Sequence, residues 1–89
     1  MSERNELHVA ATVRVEFTVE PFVDGHPGEH VLAAWQAVEA RGQELENGPF
    51  SASTDVPADE VGDLVADVVR AALGRGATRV NLQIERVAP

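Results

Sequence analysis

The sequence predicts a single α+β domain, residues 1–89, in which two helices cover one face of a four-stranded antiparallel sheet. Three observations lead to this prediction. The chain has 89 residues, which is enough for one hydrophobic core and no more. Its patterned segments follow the order strand, helix, strand, strand, helix, strand (βαββαβ). Right-handed crossovers fold such a chain into one sheet whose central strands are the first and the third.

The first half of the chain supplies a strand and a helix. Val9 to Val19 alternates apolar odd positions with mostly polar even positions, as a half-buried strand does. Residues 1–7 precede it, and we expect a flexible tail there. A helix begins near Gly28 and ends at Arg41-Gly42, where a cation and a glycine are typical of a helix C-terminus. Its apolar stripe consists of Val31, Ala34, Trp35 and Val38.

The second half supplies three strands and a helix. Gln43 to Asn47 is predicted to be a short edge strand, with a turn at Gly48-Pro49. Phe50 to Val56 alternates again and predicts a third strand. A second helix ends near Gly74, and Arg79 to Val87 is the last strand. The apolar stripe of the second helix is Val61, Leu64, Val65, Val68 and Ala72.

Alternation along the strands predicts two different sheet faces. One face packs against the helices, and the predicted core between them is Phe17, Trp35, Leu64, Val68, Leu82 and Ile84. The opposite face is polar, and its predicted members are Arg14, Glu16, Thr18, Ser51, Ser53, Asp55, Asn81, Gln83 and Glu85. We expect ligand binding or self-association on the polar face.

Composition excludes several kinds of function. Fifteen acidic residues oppose seven arginines, for a net charge of −8, so nucleic acid and anionic membrane surfaces are disfavoured partners. The absence of cysteine excludes disulfides, thiolate zinc sites and iron–sulfur clusters. No apolar run approaches the roughly 20 residues of a membrane span. Met1 to Glu6 lacks the basic start of a secretion signal, so we expect a soluble cytoplasmic protein.

Catalytic and metal chemistry also find little support in the sequence. Ser51 and Ser53 have no evident general base, so the protein is predicted not to be an enzyme. His26 and His30 are four residues apart, but Pro27 and the start of the helix prevent the same-face geometry of a helical histidine pair. We read them as a solvated loop histidine and a helix-start histidine, with no metal site.

Three short motifs indicate a family. They are E-F-T-V-E-P-F at Glu16 to Phe22, G-P-F at Gly48 to Phe50, and G-A-T-R-V at Gly76 to Val80. Their order and spacing resemble the thiamine-binding protein family over about residues 13–87. The resemblance implies a ferredoxin-like fold, assembly as dimers or tetramers, and binding of thiamine or its hydroxymethylpyrimidine precursor without catalysis. The chain departs from the usual pattern after G-P-F, where it has Ala52, Asp55 and Val56.

The resemblance and the polar face together give the predicted ligand site. Hydroxyl, amide and carboxylate groups suit both an aminopyrimidine and a cationic thiazolium. The predicted function is that of a thiamine carrier or sensor that needs no cofactor. A module for another metabolite, and a structural or regulatory oligomerisation module, remain alternatives. The predicted ligand-binding residues are Glu20, Phe50, Ser51, Ser53, Asp55, Asn81 and Gln83.

Overall fold

The computed structural model describes residues 11–48 and 51–89. In chain order, the elements are β1 (Thr12–Glu20), α1 (Glu29–Ala40), β2 (Glu46–Asn47), β3 (Ala52–Pro57), a 3-10 turn (Ala58–Glu60), α2 (Val61–Gly74) and β4 (Arg79–Ala88). The strands form one antiparallel sheet in the order β2-β3-β1-β4. The predicted ferredoxin-like α+β fold is confirmed, with β1 and β3 at the centre of the sheet.

The limits of α1 follow from local backbone chemistry. The carbonyl of Gly28 accepts hydrogen bonds from the amides of Val31 and Leu32 at 3.1 and 3.0 Å, which starts the helix. At the other end, Gly42 has a φ of +80° and its amide donates to the Glu39 carbonyl at 2.9 Å. Because L side chains disfavour this backbone conformation, glycine at this position ends the helix where the sequence predicts.

The edge strand β2 is shorter than predicted. The sequence predicts a strand over residues 43–47, and of these five described residues Glu46 and Asn47 alone pair with β3. The buried Thr54 side chain donates a 2.6 Å hydrogen bond to the Glu44 carbonyl. A side chain of β3 thus binds the segment before β2. The predicted turn at Pro49, and the strand positions Val9 and Phe50, lie outside the described residues.

The core lies between the sheet and the two helices, which pack against each other. Every odd position of β1 from Val13 to Val19 is buried, as are alternate residues of β3. Leu64, Val68 and Ala72 of α2 are at most 1% exposed. Trp35 and Leu82 pack on this cluster but remain partly accessible. The predicted apolar stripes are therefore the ones that the fold buries.

One predicted core residue lies at the surface instead. Ile84 in β4 is 53% exposed, so its assignment to the core is wrong. Its position alternates correctly with Val80 and Leu82, but β4 is an edge strand and α2 contacts it only sparsely. The helices therefore leave this part of the strand uncovered. Neither described helix is long and apolar enough to span a membrane.

Candidate functional site

The polar face is continuous across three strands. Glu16 of β1 lies opposite Ser53 of β3 and opposite Gln83 of β4. One row further along, Arg14 lies opposite Asp55 and Glu85. Since opposing residues in antiparallel strands share a face, these side chains lie together on the side away from the helices. Most of the predicted ligand-binding residues are here.

Asp55 on this face is paired with a cation. Arg14 donates from Nε to Oδ1 at 2.8 Å and from Nη2 to Oδ2 at 3.2 Å, a two-pronged geometry typical of arginine and carboxylate. The hydrogen bond from Arg14 holds the pKa of the Asp55 carboxyl below its usual value. The same contact raises the pKa of Arg14. The charge of Asp55 is thus largely balanced within the protein.

Other predicted site residues also bind one another. Asn81 Nδ2 donates to Glu20 Oε2 at 3.2 Å and to Thr18 Oγ1 at 3.3 Å. Ser51 Oγ donates to Glu16 Oε2 at 3.4 Å. The groups form an exposed network rather than a set of side chains that converge on an empty space. Phe50, the remaining predicted residue, lies outside the described residues.

A groove of about 760 Å³ lies on the polar side of the molecule, beside Arg14. Its described walls carry five carboxylates and one arginine, with little apolar surface. Such an excess of acid gives the groove a strong field but no flat surface for a ring to pack on. Its charged lining residues are Arg14, Glu16, Glu44, Glu46, Asp55 and Glu85.

A second concavity has the character of a ligand pocket. This cleft, of about 450 Å³, lies between the end of β1, the N-terminal half of α1 and the β1–α1 loop (residues 21–28). Its volume is within the range of roughly 300–1,000 Å³ typical of small-molecule sites. The described lining residues are Phe17, Thr18, Val19, Phe22, Val23, Asp24, Gly25, His26, Pro27, Gly28, Val31, Trp35, Gly48, Ser51 and Ala52.

Three parts of the chain build the cleft. Buried Phe17 and Ala52 come from the central strands, and Trp35 adds an aromatic wall from α1. The β1–α1 loop, dense in glycine and proline, supplies the opposite wall. Ser51 borders the cleft as well as the polar face, where its hydroxyl donates to Glu16, and it is the one residue of the predicted site that lines the cleft among those the structure describes. An apolar wall with a few polar groups suits a flat heterocyclic ring.

The charge of the cleft disfavours anions. Among its described lining residues, Asp24 is the single carboxylate and none is an arginine. His26 adds an imidazole. These residues therefore include no arginine that would repel a cationic ligand, and none that would bind a phosphate group.

Sequence reasoning missed the cleft for an identifiable reason. It assigned Trp35 to the core because the residue lies in the apolar stripe of α1, and the side chain does pack on the core. The same ring also lines the cleft, which no helical periodicity can show. The glycine and proline content of the β1–α1 loop was a usable signal, since binding residues often lie on such loops.

Residues 11–48 and 51–89 contain no group of three histidine or carboxylate side chains close enough together to bind a metal ion. His30 instead lies buried at the start of α1, 7% exposed. Its Nε2 donates to the carbonyl of Pro21 at 2.6 Å. The ring thus connects the helix to the start of the β1–α1 loop.

Comparison with known proteins places this geometry among solved structures. No protein-family model matches the sequence, and a search of curated proteins finds no similar sequence. A domain of unknown function, DUF77, from Bacillus cereus superposes with a TM-score of 0.65 at 22% identity, covering 91% of this chain and 80% of that one. The chain shares its fold.

A second solved structure has the same fold and a closer sequence. It is a proposed thiamine biosynthesis/salvage protein from Thermotoga maritima, with a TM-score of 0.65 and 28% identity. The match covers 83% of this chain and 82% of that one. Both likenesses span nearly the whole domain, so the ferredoxin-like fold is not limited to a fragment of it.

Proposed function

We propose that the protein binds a small heterocyclic metabolite of the thiamine type and does not transform it, acting as a carrier or sensor. The observation that carries this proposal is the cleft beside Trp35. It has the volume of a ligand site and an aromatic wall, with one carboxylate, from Asp24, and no arginine among its described lining residues. These are properties of a site for an uncharged or cationic ring.

Thiamine and its hydroxymethylpyrimidine part match this chemistry. The aminopyrimidine offers an amino donor and ring-nitrogen acceptors to hydroxyl and backbone groups. The thiazolium of thiamine is cationic, which suits Asp24 and a chain of net charge −8. Phosphate esters of thiamine would bring negative charge to a site that has no described arginine. We therefore expect the unphosphorylated compounds to bind more tightly.

The likeness to the Thermotoga maritima protein supports the same ligand class. That protein is described in terms of thiamine biosynthesis or salvage, and 28% of aligned residues are identical. The polar face, with Glu20, Ser53, Asp55, Asn81 and Gln83, is the alternative position for the ligand. We favour the cleft because the face lacks aromatic surface and its polar groups already bind one another.

The protein is also proposed to be a homo-oligomer, dimer or tetramer. β4 is a ten-residue edge strand, and such an exposed edge is a template for strand pairing. Antiparallel pairing of two β4 strands about a two-fold axis at Leu82 would place Arg79 opposite Glu85. The same register would place Val80 opposite Ile84, so charge and apolar surface are both complementary. A purely structural oligomerisation module would use this same edge and leave the cleft empty.

A thermal-shift screen tests the ligand proposal. Thiamine, its mono- and diphosphates and hydroxymethylpyrimidine would each be added to the protein at increasing concentration. A ligand of the native state raises the melting temperature by linkage. We expect thiamine and the free pyrimidine to raise it more than the diphosphate does. A melting temperature unchanged by all four compounds would refute the proposed ligand class and favour the structural module.

A further inference from the structure

His30 has a role in the fold that neither the core nor the cleft explains. It is 7% exposed, yet it is absent from the lining of the cleft. Its Nε2 lies 2.6 Å from the carbonyl oxygen of Pro21, the first residue of the β1–α1 loop. Because a carbonyl oxygen can only accept, the imidazole carries its proton on Nε2 and donates it. This partly buried hydrogen bond ties the loop to the first turn of α1.

Gly28, at the other end of the loop, leaves room for the ring. A Cβ atom at this position would lie 2.5 Å from Cε1 and 2.8 Å from Nδ1 of His30. It would also lie 3.2 Å from Cγ2 of Val23, which lines the cleft. The loop residue Val23 and the His30 ring therefore both border the space that a side chain at position 28 would occupy. Any larger residue at position 28 would push one of them away.

We propose that His30 and Gly28 form a latch that fixes the β1–α1 loop as a wall of the cleft. His30 is then a positioning residue, which affects the ligand only through the loop that it holds. Because the ring is tied to Pro21 and packs at Gly28, it fixes both ends of the segment that carries Phe22 and Val23 into the lining. The effect on binding rests on the proposed function, but the effect on the loop does not.

Hydrogen–deuterium exchange of the full-length protein without ligand tests the latch directly. His30→Leu keeps a buried apolar side chain but removes the donor, so the amides of Val31 and Leu32, which donate to the Gly28 carbonyl at the end of the loop, should exchange about tenfold faster. Exchange in β1 and α2 should change little, because the loss is local. His30→Gln retains an N–H donor and should restore most of the protection. Equal exchange of the Val31 and Leu32 amides in the parent and in His30→Leu would overturn the proposal.

Glycine variants provide a second test that leaves His30 in place. Gly28→Ala should displace the ring or Val23 and speed exchange of the Val31 and Leu32 amides as His30→Leu does. Gly62→Ala is the matched control, because a Cβ at Gly62 in α2 would meet no atom within 4 Å. It should leave exchange of the Val31 and Leu32 amides unchanged. Faster exchange throughout the chain in Gly28→Ala would show a general loss of stability and contradict a local latch.

Calorimetric titration with hydroxymethylpyrimidine then connects the latch to binding. His30→Leu and Gly28→Ala should each weaken binding about tenfold, while His30→Gln and Gly62→Ala stay within about twofold of the parent. Full affinity in His30→Leu, together with faster exchange of the Val31 and Leu32 amides, would refute the positioning role. If the parent itself binds neither this compound nor thiamine, the proposed function fails, and the exchange data still decide whether the latch exists.

Discussion

The carboxylate of Asp55 is held by two hydrogen bonds from Arg14 on the neighbouring strand. The side chains remain 49% and 46% exposed, so solvent and salt screen much of their attraction. The contact nevertheless shifts the pKa of Asp55 in one direction. The hydrogen bond lowers the pKa of Asp55 in the folded protein, which means that folding favours its ionised form.

The pair therefore predicts a specific dependence of stability on pH. A carboxyl whose pKa is lower in the folded state contributes stability above its unfolded pKa, near pH 4, and loses it as pH falls through the folded value. Asp55→Asn should lower the urea midpoint slightly at pH 7, and its difference from the parent should shrink as pH falls below about 4. Adding about 0.5 M salt at pH 7 should reduce the difference. A difference that grew on acidification would contradict this assignment.

Sequence pattern predicts the role of a single residue only where its hydrogen-bond partner is close in sequence. The glycine at position 42 is recognisable as a helix end because its hydrogen-bond partner is Glu39. Arg14 and Asp55, by contrast, are 41 residues apart, and only the strand register brings them together. The sequence identifies Asp55 as a candidate ligand for a cation, but it cannot show that a cation of the protein is already bound there.

Helix α2 is the element whose packing was most fully predictable. Its apolar residues recur at helical spacing, and Leu64, Val68 and Ala72 are buried as that spacing requires. Val68→Asp should place an uncompensated carboxylate in the core and destabilise the fold severely, by about 4 kcal/mol or more. Denaturant unfolding measures this loss. An unchanged unfolding midpoint would mean that Val68 does not face the core.

Strand β4 shows that the pattern of one strand does not predict which of its apolar residues are buried. Alternation correctly identifies the strand and assigns Val80, Leu82 and Ile84 to one face. It cannot tell how far a helix extends over that face, because this depends on how α1 and α2 pack with each other. Ile84 is consequently half exposed. An apolar residue on an open edge strand is a feature of interfaces as well as of cores.

At the scale of the whole molecule, the edge of β4 predicts self-association. Light scattering at micromolar concentration should give a mass of two or four chains rather than the 9.5 kDa of one. Ile84→Lys places a charge in the proposed interface and should shift the protein towards the monomer. Leu32→Lys is the matched control, since Leu32 is a 41%-exposed residue of α1, outside the sheet. A parent that stays monomeric, or equal effects of the two variants, would remove this interface.

The cleft is also a property of the whole molecule. Phe17, Trp35 and Ser51 belong to different segments of the chain, and each had a sufficient local explanation as core or strand residue. The order of strands and helices was predictable because each of them has its own hydrophobic pattern. The cleft was not, because it exists only where the end of the sheet, the start of α1 and the β1–α1 loop meet.

The central claim is that the ligand lies in the cleft, and the fluorescence of Trp35 reports on it directly. Trp35 is the single tryptophan, and the chain has no tyrosine, so a ligand ring in the cleft should change the emission. Titration with thiamine should give a saturable change, and Asp24→Asn, which removes the carboxylate among the described lining residues of the cleft, should weaken binding about threefold, or about 0.7 kcal/mol. Ser53→Ala, on the polar face, should leave the affinity unchanged. Loss of affinity in Ser53→Ala with none in Asp24→Asn would place the ligand on the polar face and contradict a ligand site in the cleft.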